Sequence, residues 1–423
     1  MQESLSNSII SKTFENIQKE VISMLIKLYS QIENLSDFSK IIDLADSEGN
    51  ALKRKIVETM MNLKDSEYAA SREDKSEIII THSKAPKSIV CVFGTINLKR
   101  NRYFNKNTKE KYYLVDKVYN LDNYQRIDKG LQAKLIEEAT CSSYRKTSKI
   151  YNYNISHQGV YNTIKKCYSE YEKIQQKIEE SDTLKIYIEA DEDHVHMKNG
   201  TNRMAKLVYV HEGYEPVSYS PKASKRYKLK NAKYFFGVQG RDIWEDVQNY
   251  VYTRYKLYTK IRLSGDGACW IKRGLNYFPL AEFNLDKFHI MQTITRLYPR
   301  NQEKREELLD AIISKDKKYL LDLYEKRYGR LNNSLREKSQ QTMTGLLYLI
   351  NNFENIYLTD SEKKCSAEGH ISHILSERLS SRPKAWTHDG LDRIGVFRCE
   401  KYNNFDFSSI FENTKKDIEV VNS

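Results

Sequence analysis

Between residues 183 and 266 the hydrophobic pattern leaves the helical period and becomes alternating, in a fixed order of segments. TLKIYIEADEDHVHMK alternates and is β-branched early, which reads as a strand. MAKLVYVHEGYE and NAKYFFGVQG read as two more strands. DIWEDVQNYVYTRYKL then places Ile243, Val247 and Val251 on one helical face. YTKIRLSGDG follows as a fourth strand. Strand, strand, strand, helix, strand makes this part of the chain an α/β core.

That order is the one at the start of the ribonuclease H fold, and it sets the expected division of the chain. Residues 181–286 are the first part of a ribonuclease-H-like core and 365–400 its last part. Between them, 287–364 reads almost wholly helical, KREELLDAIISKDKKYLLDLYEKRY being a clear stretch, and is an insertion in the core. A helix covers 366–379, and 401–423 is a polar tail. Residues 1–127 are an N-terminal helical region with short strands. There, Ile9, Ile10, Phe14, Ile17, Val21, Leu25 and Leu28 stripe a helix over 5–35, as a core face or a dimer seam. A second helix covers about 50–66. Pro86 and Gly94 punctuate short strands over 77–104. The basic end of that stretch, Lys99, Arg100 and Arg102 beside Tyr103 and Phe104, suits nucleic acid or a lysine-guarded edge strand.

Residues 128–180 form a helical segment with a possible helix-turn-helix. SYRKTSKIYN is the first helix, YNISH the turn, and Ser156 caps the second, HQGVYNTIKK. Its Gln158, Asn162, Lys165 and Lys166, with Arg145 and Lys146 before it, are the side-chain types that reach bases and phosphates. The chain is 423 residues long, with 69 Lys plus Arg against 57 Asp plus Glu, a net charge of +12. That excess favours a polyanionic partner, most simply nucleic acid. Six cysteines without a CxxC pair exclude a zinc ribbon and fit reduced thiols. Without a leader-like N-terminus or an apolar run near the ~20 residues that span a bilayer, the expected location is the cytoplasm.

In this fold the first strand lies beside the fourth, so a carboxylate on each converges with the other. Asp191 lies toward the end of the first strand. Asp266 ends the fourth in SGDGACW, where Gly265 and Gly267 allow close backbone approach. Asp193 shares the Asp191 face, with Glu189 one step back, so Asp193 remains a rival for the first position. His194 and His196 on the other face offer a zinc site or are surface residues. A third carboxylate must come from a helix packed near the sheet. Glu368 opens the helix whose Ile371, Ile374, Leu375 and Leu379 form the buried stripe, and Glu377 competes from further along. Three converging carboxylates suit hard divalent cations and phosphodiester chemistry.

SGDGACW followed by LDKFHIMQ resembles the bacterial Mutator-type transposases, in which a Cys/Asp-x-x-His motif follows the second aspartate. Here it is Asp286-Lys287-Phe288-His289. IEADEDHV, LSGDGACWIK, LDKFH and SAEGHISHILSERLSSRP are similar to the blocks of the insertion-sequence family ISLre-two, over nearly the whole chain. The resemblance implies a DDE transposase: Asp191, Asp266 and Glu368 as catalytic metal ligands for Mg²⁺ or Mn²⁺, with His289 assisting. It implies a helical insertion before the glutamate, which the 102 residues between Asp266 and Glu368 accommodate. Double-stranded DNA would be the partner, as terminal inverted repeats and as target, held by a homodimer or larger assembly. Lys222, Lys225, Arg226, Lys228, Lys230, Arg378 and Arg382 would meet phosphate. The alternatives are a nuclease of the same fold that never joins ends, and a DNA-binding regulator or decayed transposase.

Overall fold

The computed structural model describes residues 2–33, 37–72, 76–151, 155–217, 227–238, 240, 242–328, 336–358, 365–382 and 384–414. The chain forms two compact units, 1–174 with 406–423, and 175–405. Residues just after 405 therefore fold with the N-terminal unit, where a polar tail over 401–423 was expected.

The first unit opens with two long helices that pack on each other, α1 (Gln2–Ile32) and α2 (Phe38–Ser71). Asp37 caps α2 by accepting from the Ser39 amide at 2.9 Å. A three-stranded antiparallel sheet follows in the order β1 (Ile78–Cys91), β2 (Gly94–Asn105), β3 (Lys111–Tyr113). Pro86 does not break β1 as expected. It lies opposite Lys99 in an edge strand, where a missing amide costs no ladder bond on the open side, and the register shifts just before it. The short α3 (Leu114–Val118) leads to α4 (Lys129–Cys141), α5 (Tyr144–Ile150) and α6 (His157–Tyr171), which pack together. Ser156 caps α6 as expected, accepting from the Gly159 amide at 3.1 Å.

The second unit is a mixed α/β fold. Its strands are β4 (Lys185–His196), β5 (Asn202–His211), the small hairpin β6 (Tyr214–Pro216) and β7 (Tyr227–Leu229), and β8 (Lys233–Val238). Then come α7 (Ile243–Arg254), β9 (Lys260–Gly265), the single turns α8 (Cys269–Lys272) and α9 (Gly274–Tyr277), and β10 (Glu282–Leu285). The five-stranded sheet runs β10-β9-β4-β5-β8. β5 is antiparallel to β4 and β8, whereas β9 is parallel to β4 and β10.

The two faces of β4 go to different partners. Ile186, Ile188 and Ala190 face a core made with α7 and with the helices α10 (Lys287–Leu297), α11 (Gln302–Ile313), α12 (Lys317–Tyr328) and α13 (Arg336–Asn351). The helical block is thus continuous with the core under the sheet. The odd-numbered face of β4 lies beneath α14 (Ala367–His370), which continues through a π-helical turn, Ile371–Ser376, into α15 (Glu377–Leu379). α16 (His388–Tyr402) covers β8, so close that a Cβ on Gly395 would strike the Phe236 ring. No helix among the described residues is long and apolar enough to cross a membrane.

Candidate metal centre

Asp191 sits mid-β4 on the odd-numbered face and is buried. Its Oδ1 accepts from the Glu192 amide at 2.8 Å. β9 reaches its level because Gly265 has no side chain; a Cβ there would lie 2.8 Å from the Ala190 carbonyl oxygen. Asp266 begins the turn after β9. Its Oδ1 accepts from the Ala268 amide at 2.8 Å, and its carbonyl accepts from the Tyr348 hydroxyl at 2.8 Å. Gly267 completes the turn at φ 85, a backbone region that favours glycine.

Asp286 is buried where β10 ends. Its amide donates to the Gly265 carbonyl at 2.8 Å, and its Oδ1 caps α10 by accepting from the Phe288 amide at 3.1 Å. One turn into α10, His289 Nε2 lies 3.8 Å from Asp286 Oδ2. Glu368, in the first turn of α14, comes from the helix above the sheet. Asp191, His289 and Glu368 each bring one ligand-capable atom to within 4.8 Å of the others.

Burial pushes the Asp191 carboxyl up to about 7; the Glu192 amide opposes the shift, and the charges of Glu368 and Asp266 add to it. Asp286 is likewise raised, by burial first and then by carboxylates including Glu368, against the Phe288 amide and His289. Asp191 and Asp286 are buried, Asp266 is half-buried and Glu368 is exposed; carboxylates brought this close repel one another and are relieved by a cation. Two carboxylates and an imidazole fit a divalent ion. Mn²⁺ accepts nitrogen beside oxygen more readily than Mg²⁺, which favours oxygen and water.

The expected residues separate into groups. Asp191, Glu368 and His289 converge, and Asp266 is near enough to perturb Asp191 without joining the tight set. Asp193 is engaged elsewhere, accepting from the Ser380 hydroxyl at 2.6 Å, so it is Asp191 that faces Glu368. Glu377, the rival of Glu368, is paired with Arg398 at 2.7 Å. His194 and His196 are exposed and line a cavity of about 440 Å³ with Ser380, Arg382 and Lys384. They are not in the metal-capable set found among the described residues.

Of the expected DNA contacts, Arg145, Lys146, Lys165 and Lys166 are exposed on α5 and α6, with Lys166 3.8 Å from Asp122. Lys228 is exposed and paired with Glu215 at 2.9 Å, and Arg382 is exposed. Lys222, Lys225 and Arg226 lie outside the described residues. Arg378 departs from expectation. It is buried with its guanidinium 4.8 Å over the Trp386 ring, so it packs inside rather than presenting charge at the surface. Sequence reasoning also passed over the role of Glu189, which is fully buried below Asp191 on the same face. No spacing marked it out, because its partners come from three other elements.

Across residues 38–409 the chain matches the model of an uncharacterised protein family, UPF0236. Two relatives from Caldanaerobacter subterraneus subsp. tengcongensis, both named UPF0236 proteins, are each 31% identical over 99% of this chain and 89% of their own length. The name of the first joins eleven locus designations in that genome, and the name of the second joins four. A third, named with two, is 31% identical over 97% of this chain and 83% of its own. The chain belongs to the UPF0236 family.

Proposed function

We propose that this chain is a DDE-type DNA transposase with a ribonuclease-H-like core, cutting phosphodiesters at the ends of a mobile element and joining them to target DNA. The observation that carries the proposal is the convergence of Asp191, Glu368 and His289, with Asp266 beside them, on the sheet order β10-β9-β4-β5-β8. Taken as the first strand, β4 has β5 antiparallel on one side, with β8 antiparallel to β5 beyond it, and the parallel strands β9 and β10 on the other, which is the order a ribonuclease-H-like reading calls for. The eleven loci sharing one relative's name support a protein that multiplies within a genome.

In this reading Asp191, Glu368 and His289 would hold a divalent cation, Mn²⁺ or Mg²⁺, and Asp266, close enough to perturb Asp191, would add its carboxylate to the same site. When bound, the cation supplies Lewis acidity for the attacking oxygen and neutralises charge on the phosphate. Asp286, 3.8 Å from His289 Nε2, adds negative charge beside the imidazole. Gly265 lets β9 lie against the Ala190 carbonyl and Gly267 turns the chain after Asp266, which together hold Asp266 beside Asp191. The exposed Arg145, Lys146, Lys165 and Lys166 of α5 and α6 hold DNA by phosphate contact, with Lys228 and Arg382 adding contacts. Two element ends must be held together, so the active form is at least a dimer.

The test is cleavage of labelled element ends by the full chain in Mn²⁺ or Mg²⁺, with strand transfer scored on a plasmid target. Asp191→Asn and Asp266→Asn should each lower cleavage about a hundredfold or more, and EDTA should stop it. Cleavage that survives either substitution overturns the site. Cleavage without joined products favours a nuclease, and repeat binding without any cleavage favours a non-enzymatic DNA-binding protein.

A further inference from the structure

Glu189 lies two residues before Asp191 on the same face of β4 and is wholly buried. Its Oε1 accepts from the Tyr214 hydroxyl at 3.0 Å and meets His211 Nε2 at 3.1 Å. Its Oε2 accepts from the Tyr209 hydroxyl, from the Ser366 amide at 2.6 Å and from the Ser366 hydroxyl at 3.0 Å. Only an ionised carboxylate has the lone pairs to accept from so many donors at once.

Ser366 is the cap residue of α14, yet its hydroxyl makes no capping bond to its own helix. Both its amide and its hydroxyl are directed to Glu189 instead. The helix that presents Glu368 therefore starts on a bond to the strand that presents Asp191. His370, one turn on, returns its Nδ1 to the Ser366 carbonyl at 3.0 Å and lays its ring 4.7 Å from that of Tyr209. This second tie runs to the same cluster. A group needed only for packing would not have to carry acceptor oxygens, because a buried polar group costs solvation that an apolar side chain avoids.

We propose that Glu189 is a positioning residue that sets the separation of Glu368 from Asp191 by clamping Ser366. The functional half of this inference rests on reading Asp191, Glu368 and His289 as a metal site. The clamp itself does not.

Two substitutions separate the clamp from the charge. Glu189→Gln keeps an oxygen for Ser366 and turns its amide group to Tyr214 and His211, a hydroxyl and an imidazole that can both accept. Glu189→Asp keeps the charge but withdraws it by about one carbon–carbon bond, ~1.5 Å, beyond hydrogen-bond reach of Ser366. In the full chain, free of metal, amide hydrogen exchange over 366–371 should quicken about tenfold in Glu189→Asp and change less than about threefold in Glu189→Gln. Calorimetric Mn²⁺ affinity should fall about tenfold in Glu189→Asp and hold within about threefold in Glu189→Gln.

Unchanged exchange in Glu189→Asp overturns the clamp. Faster exchange with undiminished Mn²⁺ affinity overturns its positioning role. A wild type that does not bind Mn²⁺ removes the metal reading and the positioning role with it, while exchange still decides the clamp. Should Glu189→Asp fail to fold by circular dichroism, Ser366→Ala takes its place. It removes the hydroxyl's contacts with Glu189 and Tyr209 but keeps the amide bond to Glu189, and is expected to quicken exchange about threefold; no change there overturns the clamp.

Discussion

The carboxyl of Asp191 is raised by burial and by its like-charged neighbours Glu368 and Asp266, and this makes the centre a source of instability without a cation. A carboxyl bound more tightly to its proton in the folded state stabilises fully below its ordinary value near 3.8, and that contribution is lost as pH rises through about 7. In chelator, the melting temperature should therefore fall between about pH 4 and pH 7 more steeply for wild type than for Asp191→Asn, as read by calorimetry. Equal slopes would show that the strain at Asp191 is absent. At this scale the sequence was readable wherever strand rank spoke, as for Asp191 and Asp266. The choice between Asp191 and Asp193 was not readable, because both point the same way. It turns on Ser380, 187 residues further along, which occupies Asp193. Glu189 was hidden for the same reason, its defining bonds being non-local.

Among the elements, the helix bearing Glu368 departs from regularity through the π turn Ile371–Ser376. Such turns leave carbonyls without their usual partners. Arg398 of α16, almost wholly buried, supplies them, donating to the Ile374 carbonyl and, at 2.6 Å, to the His373 carbonyl. α16 itself was not foreseen. HDGLDRIGVFRCEKY contains two glycines, and its buried positions, among them Gly390, Leu391, Ile394, Gly395, Phe397 and Arg398, make no single apolar stripe. β10 escaped because four residues carry too little periodicity. Gly395→Ala is expected to push α16 off the Phe236 ring and to cost about 1–3 kcal/mol of stability in denaturant titration. A neutral result would mean that the ring has room to turn aside. By contrast, the four main strands β4, β5, β8 and β9 and helix α7 stand where alternation and helical period put them.

For the molecule as a whole, the DNA proposal draws on the net charge of +12 and the exposed basic residues of α5 and α6, and the long α1 bears on how many copies would act together. Ile9 and Ile10 of the expected stripe lie outside the residues whose side chains are described, and the rest of it is only half realised. Ile17, Val21 and Leu28 are half-buried, whereas Phe14 and Leu25 are exposed with Ile22, Ile26 and Tyr29. Exposed apolar residues at spacings of three and four on a helix suit a second helix of the same kind. On the dimer proposal, Ile22→Glu with Ile26→Glu should weaken self-association at least about tenfold by light scattering, with α-helical content kept. A wild-type chain that stays monomeric both free and on DNA would remove this role for α1.

One consequence of the Glu189–Ser366 bond concerns the order of synthesis. The two residues are separated by 177 positions. At about 5–20 residues per second, Ser366 leaves the ribosome roughly 10–35 s after Glu189. Tyr209, His211 and Tyr214 arrive within 25 positions and are available early. Over that interval the β4 face stands ready but uncovered. Glu368 follows Ser366 by two residues, so the bond that closes this face forms as the last carboxylate arrives. A nascent chain stopped short of that point holds aspartates without their glutamate, and on the proposed mechanism it would be unable to cut the DNA that encodes it.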